Sequence, residues 1–416
     1  MKRTILTNIS EVVTPEGKNA LHGKDMGKVK RLKDAAIVLE NGKILAVGPN
    51  ETIIKQYVEE DTVIQDKSGS CVLPGFVDSH THFIFGGYRP DEFMMRLKGA
   101  SYLEIHKAGG GIWNTVQATR NMGLDEMVQT GKERLEDMLS MGVTTAEGKS
   151  GYGLDRECEL RQLEALEILK KEQPVSLVRT FLGAHSIPEE YKGRSDEYID
   201  FLIKEMLPLV KEKNLAEYVD IFCESSVFNC EQSRRYLLAA KEMGFGVKIH
   251  ADEIEALGGS GLAAEIGAVS ADHLLMIRKK DCEKLDASST VATLLPATAF
   301  CLHKPYAPAR ELIDGGCAVA LASDYNPGSC FTNSIPLLFA LAVIHMNMSL
   351  EETLCALTLN GAAAVGKADQ IGSIEPGKAA DLVVLEKPQY EFLVYHTGKN
   401  IVKEVYKDGK LAYSKR

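Results

Sequence analysis

This chain has no long hydrophobic segment and no N-terminal export signal. Its longest apolar run, from Ile335 to Ile344, is far shorter than the ~20 residues that a membrane-spanning helix needs. The first residues, Met1 to Thr7, carry positive charge but lack the apolar stretch of a signal peptide. We therefore expect a protein with no membrane partner that works in the cytoplasm.

A positive charge balance and paired cysteines are also missing. The net charge is −10, so the attraction for phosphates that marks nucleic-acid-binding proteins is absent. The nine cysteines are an odd number and include no Cys-x-x-Cys pair, which argues against a disulfide scaffold and favours reduced thiols. An anionic substrate would need a local cationic side chain against this acidic background.

What the chain has is the size and composition of a globular enzyme with more than one domain. It contains 416 residues, of which 45% are hydrophobic and 25% are charged. This length predicts a large domain with a smaller accessory one. We divide the chain into an N-terminal part, a central part and a C-terminal part, residues 1–75, 76–366 and 367–416.

The central part alternates short β-type runs with amphipathic segments. The predicted strands are Phe76–His82, Val143–Lys149, Ser176–His185, Tyr218–Glu224, Gly246–His250, Val269–Leu274, Val291–Leu295 and Ala318–Ser323. The predicted helices include Asp125–Ser140, Glu157–Lys171, Asp196–Glu212, Glu231–Met243 and Ala256–Ile266. Eight strands alternating with helices predict an α/β fold, a (β/α)8 barrel. A doubly wound sheet, the alternative, requires a phosphate turn after an early strand, and Gly109-Gly110-Gly111 does not follow one in that way.

Both ends of the chain have β character. Near the N-terminus, Asn41-Gly42 separates the apolar runs Ala35–Glu40 and Lys43–Gly48, which is a strong hairpin signal. The β-type segments of the C-terminal part are Gly372–Leu385, Ile401–Lys407 and Lys410–Tyr413. Because both ends flank the barrel, we expect them to pair in one small discontinuous β-sandwich domain.

Polar residues stand at the ends of the predicted barrel strands, where barrel enzymes place their active sites. His80 and His82 lie on one side of an extended strand, so both imidazoles can bind one metal ion. A His-x-His pair alone is a weak signal, since many histidines are ordinary core or surface groups. The other strand-end residues are His185, Glu224, His250, His273 and Asp324. Five of the ten histidines at equivalent strand ends together favour a metal centre.

A single metal ion fits the candidate ligands best. His80, His82, His250 and Asp324 offer three imidazoles and a carboxylate and leave room for a water molecule. Such an ion lowers the pKa of that water towards ~7. Asp324 is a candidate for deprotonating it, and His273 for polarising a carbonyl. A bridged two-metal site would typically use a modified lysine on the fourth strand, which has none, so we predict one zinc or iron ion, divalent or trivalent, per subunit.

The same residues resemble the amidohydrolase superfamily. The resemblance rests on His80-Thr81-His82, His250, His273, Asp324 and the C-terminal run Gly372–Leu385. Within the superfamily, nearly the whole chain resembles the imidazolonepropionase family. The matching segments are Phe83–Arg89, Gly109–Ile112, Lys149–Leu154, Leu182–His185, His250–Glu253 and Ser323–Ser329. Lys-Ser-Gly-Tyr-Gly and Asp-Tyr-Asn-Pro-Gly, which these contain, are not generic barrel sequences.

This resemblance implies hydrolysis of 4-imidazolone-5-propanoate, a small molecule of histidine degradation, to N-formimidoyl-L-glutamate. It implies that Arg89 binds the substrate, most sensibly its carboxylate, because a guanidinium donates two parallel hydrogen bonds. It implies that Glu253 binds the ring nitrogens and helps to activate the water. Taken alone, Arg89 would be a surface ion-pair residue. The further substrate contacts that the resemblance implies are Tyr102, Tyr152, His185, Asn326, Gly328 and Ser329.

Two other functions fit parts of the pattern. An amidohydrolase acting on a purine, pyrimidine or guanidine-like ring would use the same metal ligands, but Arg89 and Tyr152 would then have no obvious task on a neutral base. A non-catalytic scaffold with the same barrel would be expected to have lost metal ligands, and none of the four is missing. A homodimer is the expected assembly, because twofold dimers are the commonest closed symmetry.

Overall fold

The computed structural model describes residues 3–99 and 110–415. Its strands are Thr4–Pro15 (β1), Val29–Glu40 (β2), Lys43–Pro49 (β3), Val63–Asp66 (β4), Cys71–Pro74 (β5), Phe76–Asp78 (β6), Val143–Lys149 (β7), Ser176–Ala184 (β8), Tyr218–Cys223 (β9), Gly246–Ala251 (β10), Ser270–His273 (β11), Val291–Leu294 (β12), Val319–Leu321 (β13), Leu382–Leu385 (β14), Val402–Lys407 (β15) and Lys410–Ser414 (β16).

The helices of the described residues lie mostly between the strands of the central part. They are Asn50–Tyr57 (α1), Pro90–Leu97 (α2), Ile112–Asn121 (α3), Leu124–Ser140 (α4), Arg156–Glu172 (α5), Ser195–Phe201 (α6), Leu207–Glu212 (α7), Cys230–Glu242 (α8), Gly259–Ile266 (α9), Lys279–Asp286 (α10), Pro296–Cys301 (α11), Ala309–Asp314 (α12), Ile335–Ile344 (α13), Leu350–Leu357 (α14), Leu359–Ala364 (α15) and Phe392–Tyr395 (α16). A π-helical turn, Leu202–Met206, joins α6 to α7.

The eight strands β6 to β13 form one parallel sheet in chain order, as the alternating pattern predicts. The helices cover its outside with apolar stripes, for example Leu163, Leu166 and Leu169 of α5, which are fully buried. The predicted (β/α)8 barrel is therefore confirmed.

Contacts between the first and the eighth strand bring the two ends of the barrel sheet together. Asp78 accepts hydrogen bonds from the backbone N–H and the hydroxyl of Ser323, at 2.9 and 2.5 Å. Beyond these residues, Asp324 N donates to His80 O at 2.9 Å, and His82 N donates to Tyr325 O at 3.0 Å. The metal-site candidates of the two strand ends are thereby held side by side.

The two ends of the chain form one β domain, which confirms the predicted pairing. Its strands are hydrogen-bonded in the order β16-β15-β14-β5-β1-β2-β3, with β4 beside β1. The junction between the two ends is the antiparallel pair β5 and β14, where Val72 faces Val384. The predicted hairpin turn is present, with positive φ at Asn41 (51°) and Gly42 (79°). Buried side chains from both ends share one core, including Ile37, Leu39, Leu382 and Tyr406.

Several element boundaries differ from the sequence predictions, and three of them bear on the structure around the site. The strand predicted over Phe76–His82 ends at Asp78, because residues 80–82 bond to the segment after β13 instead. The helix predicted over Asp196–Glu212 is interrupted by the π-helical turn. The helix predicted from Ala256 begins at Gly259, because Asp252 binds the backbone N–H groups of Gly258 and Ser260 and fixes the preceding residues as a loop.

No helix in residues 3–99 or 110–415 has the length and hydropathy to cross a membrane. The nine cysteines are all free thiols, and the Sγ atoms of Cys223 and Cys230 lie 3.7 Å apart.

Candidate active site

The four predicted metal ligands, His80, His82, His250 and Asp324, lie close together at the carboxyl end of the barrel strands. Nε2 of His82 lies 3.3 Å from Nε2 of His80 and 3.4 Å from Nε2 of His250. Oδ1 of Asp324 is 3.6 Å from Nε2 of His80 and 3.5 Å from Nε2 of His82. All four side chains are at most 3% exposed. These ligand atoms thus lie close together and closed off from solvent, in overlapping groups. His80, His82 and Asp324 form one group, and His250 forms others with His80 and His273 and with His82 and His185.

These spacings fit one metal ion. Tetrahedral ligands about 2.1 Å from an ion are about 3.4 Å from one another, close to the four distances given above. Three imidazole nitrogens and one carboxylate oxygen suit zinc or iron. Burial and the nearby Lys149 hold the pKa of His80 well below its ordinary value, and burial and His185 do the same for the pKa of His82. Both rings are therefore neutral and have a lone pair to offer.

Carboxylates behind the rings fix which nitrogen faces the cluster. Oδ2 of Asp272 is 2.6 Å from Nδ1 of His80. Oδ2 of Asp220 is 3.0 Å from Nδ1 of His250. A carboxylate at Nδ1 holds the proton on that nitrogen, so that Nε2 presents its lone pair.

Asp324 completes the ligand set in an unusual backbone conformation. Its φ is 54°, a region that residues other than glycine seldom adopt and that clusters at functional sites. Thr298 Oγ1 donates a hydrogen bond to Oδ2 at 2.6 Å, which leaves Oδ1 for the cluster. Burial raises the pKa of Asp324 to about 7, and a bound cation would favour its charged form.

Glu253 and His273 lie together beside the cluster. Oε2 of Glu253 is 3.6 Å from Nδ1 of His273, and the Glu253 side chain is 16% exposed. Burial, with added repulsion from Asp324 and Glu224, raises the pKa of Glu253 to about 8. Glu224 also accepts hydrogen bonds from the N–H groups of Ile254 (2.9 Å) and Glu255 (3.3 Å), which fixes the loop. A carboxyl group that ionises near neutral pH suits acid–base catalysis.

Tyr152 and His185 cover another side of the cluster. The His185 ring stacks on His82 with centroids 4.9 Å apart, and the Tyr152 ring lies 5.2 Å from that of His185. Nδ1 of His185 is 3.1 Å from the carbonyl oxygen of Gly151 and therefore donates to it. Burial lowers the pKa of His185 to about 3, so the ring is neutral and its Nε2 can accept a hydrogen bond.

Two buried side chains of α5 hold the loop that carries Tyr152. Oε1 of Glu159 accepts hydrogen bonds from the N–H groups of Gly153 (2.9 Å) and Leu154 (2.8 Å). Gln162 accepts one from the N–H of Tyr152 at 3.3 Å and donates to the carbonyl oxygen of Ile84 at 2.8 Å. The position of Tyr152 is therefore set by the helix behind it.

Arg89 stands at the start of α2 against the loop that follows β13. Its guanidinium lies on Gly328 so closely that a Cβ at that position would come within 1.6 Å of Nη2. Among the described residues its ion partner is Glu92, at 3.3 Å, and its buried Nε has no hydrogen-bond partner. Arg96 donates from both terminal nitrogens to Gly328 O, at 3.3 Å each. Two guanidinium groups next to one carboxylate leave a local excess of positive charge.

The loop after β13 is organised by Asn326. Its Oδ1 accepts hydrogen bonds from the N–H groups of Gly328 and Ser329, both at 2.8 Å, and its Nδ2 donates to Asp324 O at 2.7 Å. The Asn326 side chain is thus engaged within the loop, and its contact with substrate stays a prediction. Tyr102 lies outside the described residues.

Five ionisable residues below the four candidate ligands were not singled out from the sequence. They are Glu147, Lys149, Asp220, Lys248 and Asp272, all fully buried. The signal for them was present, because each is a charged residue inside a predicted barrel strand. Alternation places Lys248 on the same face of its strand as His250. Charged side chains are seldom fully buried unless they are paired.

Comparison with known proteins identifies relatives over the whole chain. The profile of the amidohydrolase family matches residues 71–412. An imidazolonepropionase from Clostridium tetani is 54% identical over 411 residues, which cover 99% of this chain and 98% of that protein. An imidazolonepropionase from Parabacteroides distasonis is 51% identical over 409 residues, which cover 98% of each.

Solved structures with the same fold are far less similar in sequence. A zinc-bound adenosine deaminase from Xanthomonas campestris superposes with a TM-score of 0.70 at 20% identity and covers 98% of this chain and 92% of its own. E. coli guanine deaminase superposes with a TM-score of 0.73 at 15% identity, over the full length of both chains. These two structures support the fold alone. The family profile and the close relatives show that the chain belongs to the amidohydrolase family and, within it, to the imidazolonepropionase family.

Proposed function

We propose that this protein hydrolyses the imidazolone ring of 4-imidazolone-5-propanoate and releases N-formimidoyl-L-glutamate in histidine degradation. The observation that carries the proposal is the combination of a buried His80, His82, His250 and Asp324 cluster with a cationic position at Arg89. Tyr152 lies beside this cluster, with its ring centroid 5.8 Å from that of His82. Burial raises the pKa of its phenol, and the charge of Arg89 opposes that rise. A ring to be hydrolysed and an anionic tail can therefore be bound in one site.

The metal ion would be held by His80, His82, His250 and Asp324. Bound there, it would supply a Lewis acid that lowers the pKa of water and polarises a carbonyl group. Asp272 at Nδ1 of His80 (2.6 Å) and Asp220 at Nδ1 of His250 (3.0 Å) support this assignment, because a carboxylate there favours the proton on Nδ1 and the lone pair on Nε2. We infer zinc or iron as the ion, because the donor set suits both.

Glu253 is the proposed proton carrier. In its charged form it takes a proton from the attacking water, and it returns that proton to the ring nitrogen when the C–N bond breaks. Its raised pKa lets it do both near neutral pH. His273, 3.6 Å from Glu253, is placed to hydrogen-bond the ring carbonyl oxygen as negative charge develops there.

The loops around the cluster are proposed to bind the rest of the substrate. Arg89 pairs with the propionate carboxylate through two parallel hydrogen bonds. Tyr152 donates a hydrogen bond from its phenol, and His185 accepts one at Nε2. The further proposed contacts are Tyr102, Asn326, Gly328 and Ser329.

Turnover of the defined substrate tests this proposal. Purified protein loaded with zinc or iron is mixed with 4-imidazolone-5-propanoate, and loss of the ring absorbance is followed together with the mass of the product. We expect N-formimidoyl-L-glutamate to form in proportion to enzyme, and guanine and adenosine to remain unchanged. Metal-loaded protein that leaves 4-imidazolone-5-propanoate intact would overturn the substrate assignment.

We also propose that the protein works in the cytoplasm as a homodimer. The reduced state of all nine cysteines supports a reducing compartment. Light scattering coupled to gel filtration tests the assembly: we expect twice the mass of the 45.5 kDa chain. A mass equal to one chain at the concentration of the activity assay would contradict the dimer.

A further inference from the structure

The barrel interior directly below the candidate metal ligands is charged. Two ammonium groups and three carboxylates come from four of the eight barrel strands, and none is exposed to solvent. We call them the buried ion cluster: Glu147 and Lys149 of β7, Asp220 of β9, Lys248 of β10 and Asp272 of β11. Barrel interiors are ordinarily filled by branched apolar side chains, so these charges need a reason.

A contribution to the stability of the fold does not explain the buried ion cluster. Removing charged groups from water is costly, and replacing buried ion pairs by apolar side chains of similar volume is often neutral or stabilising. The structure shows what the charges contact. Asp272 is hydrogen-bonded to Nδ1 of His80 at 2.6 Å, and Oδ2 of Asp220 lies 3.0 Å from Nδ1 of His250.

The two lysines of the buried ion cluster differ in what they reach. Nζ of Lys149 is 2.7 Å from Oδ2 of Asp220, 3.1 Å from Glu147 and 3.6 Å from Asp272. Nζ of Lys248 is 2.6 Å from Glu147 and 3.9 Å from Asp272, and it donates to the carbonyl oxygen of Ser79 at 3.0 Å. Among the described residues, Lys149 is thus the ammonium group that pairs with Asp220.

Asp220 has one partner on Oδ1 and two on Oδ2. Oδ1 accepts a hydrogen bond from the N–H of Ile221 at 2.8 Å. Oδ2 is shared by Lys149 and the Nδ1 of His250. Among the described residues, the contacts of Oδ2 are with Lys149 and His250. Without Lys149, the contact with His250 alone would keep Oδ2 charged and directed at the ring.

We propose that Lys149 is a positioning residue of the metal site. It fixes Asp220, and Asp220 fixes the Nδ1 proton and the ring plane of His250, so that the lone pair of Nε2 points at the ion. Lys149 touches neither the ion nor the substrate. Partners behind metal ligands typically change metal affinity by about 10- to 100-fold when they are replaced.

Two matched variants test the proposal, Lys149→Met and Lys248→Met. Each removes one fully buried ammonium group from the same cluster and leaves a side chain of similar length, but only the first removes a contact with Asp220. Zinc affinity is measured by competition with a chelator. The ligand geometry is measured from the visible absorption bands of the cobalt(II)-substituted proteins.

We expect Lys149→Met to bind zinc about 10- to 100-fold more weakly and to show shifted cobalt bands. Lys248→Met should change the zinc affinity and the cobalt spectrum less, because Lys248 makes no contact with Asp220 and its Nζ is 3.9 Å from Asp272. Equal changes in both variants would indicate a merely structural cluster and would overturn the proposal, as would an unchanged Lys149→Met.

Asp220→Asn provides the test if Lys149→Met does not fold. The amide keeps the shape of the side chain but removes the charge that Lys149 pairs with. We expect weaker zinc binding and shifted cobalt bands, and an unchanged spectrum would overturn the proposal. Because these measurements use no substrate, their failure is distinct from a failure of the proposed reaction.

Discussion

The metal ligands and the substrate contacts of this site are held in different ways. His250 lies within β10, and His80, His82 and Asp324 follow barrel strands. Carboxylates that are themselves on strands lie next to Nδ1 of His80 and of His250. Arg89, Tyr152 and Gly328 lie on loops or at a helix start, and they are held by groups of their own segment or of the outer helices. The metal-binding residues are therefore positioned by the rigid barrel strands. The substrate-binding residues are positioned by loops and helix starts, which can vary without disturbing the barrel.

Replacement of a metal ligand should reduce activity more than any other change, because the barrel part of the site then no longer binds the ion. We expect His80→Ala to bind no metal and to lose at least about 10⁴-fold in kcat, since both the activated water and the polarised carbonyl depend on the ion. Metal content and turnover are measured on the same preparation. His345→Ala is the control, since His345 is exposed and its ring stacks on Tyr306, which is not among the candidate site residues. An active His80→Ala would contradict the ligand set.

Glu253 tests the chemistry without removing the metal. We expect Glu253→Gln to keep its ion and to lose about 10²- to 10⁴-fold in kcat. Burial raises the pKa of Glu253 to about 8, and the first step needs its charged form. In the unmodified enzyme kcat/KM should therefore rise as the pH rises towards that pKa, and the variant should lack this rise. A full rate with the same pH profile would contradict the role of Glu253.

Replacement of Arg89 should affect recognition alone. The paired hydrogen bonds of a guanidinium with a carboxylate are lost in Arg89→Met, so KM should rise about 10- to 100-fold, while metal content stays the same. Arg96→Met, which removes the neighbouring guanidinium, should raise KM less. An unchanged KM for Arg89→Met would show that the propionate binds elsewhere.

Gly328→Ala should give the smallest change in KM of these variants. We expect it to act by displacing the guanidinium of Arg89. The added methyl group would occupy the place of the guanidinium, within 1.6 Å of Nη2, so Arg89 must move. We expect a rise in KM smaller than that of Arg89→Met. In the double variant Arg89→Met/Gly328→Ala, KM should be the same as in Arg89→Met alone. A double-mutant cycle measures this. Additive effects would mean that Gly328 contacts the substrate independently of Arg89.

The sequence predicts the barrel part of the site better than its surroundings. Strand-end histidines and the His80-Thr81-His82 spacing are local signals, and parallel strands bring their carboxyl ends together once the barrel forms. The predicted end of the first barrel strand was wrong. The position where that strand ends depends on the contact between Asp78 and Ser323, which lie 245 positions apart in the sequence. The buried ion cluster went unnoticed for a similar reason, since a lysine within a strand shows no partner until four strands are assembled.

Metal titration of the stripped enzyme tests the central claim most directly. Chelator-treated protein is supplied with increasing zinc or iron, and hydrolysis of 4-imidazolone-5-propanoate is measured at each step. We predict no turnover without metal. Activity should return linearly with added metal and stop rising at one ion per chain, because Nε2 of His82 lies 3.3 to 3.5 Å from the ligand atoms of His80, His250 and Asp324. Turnover by fully stripped protein, or a return that stops at two ions per chain, would contradict the account.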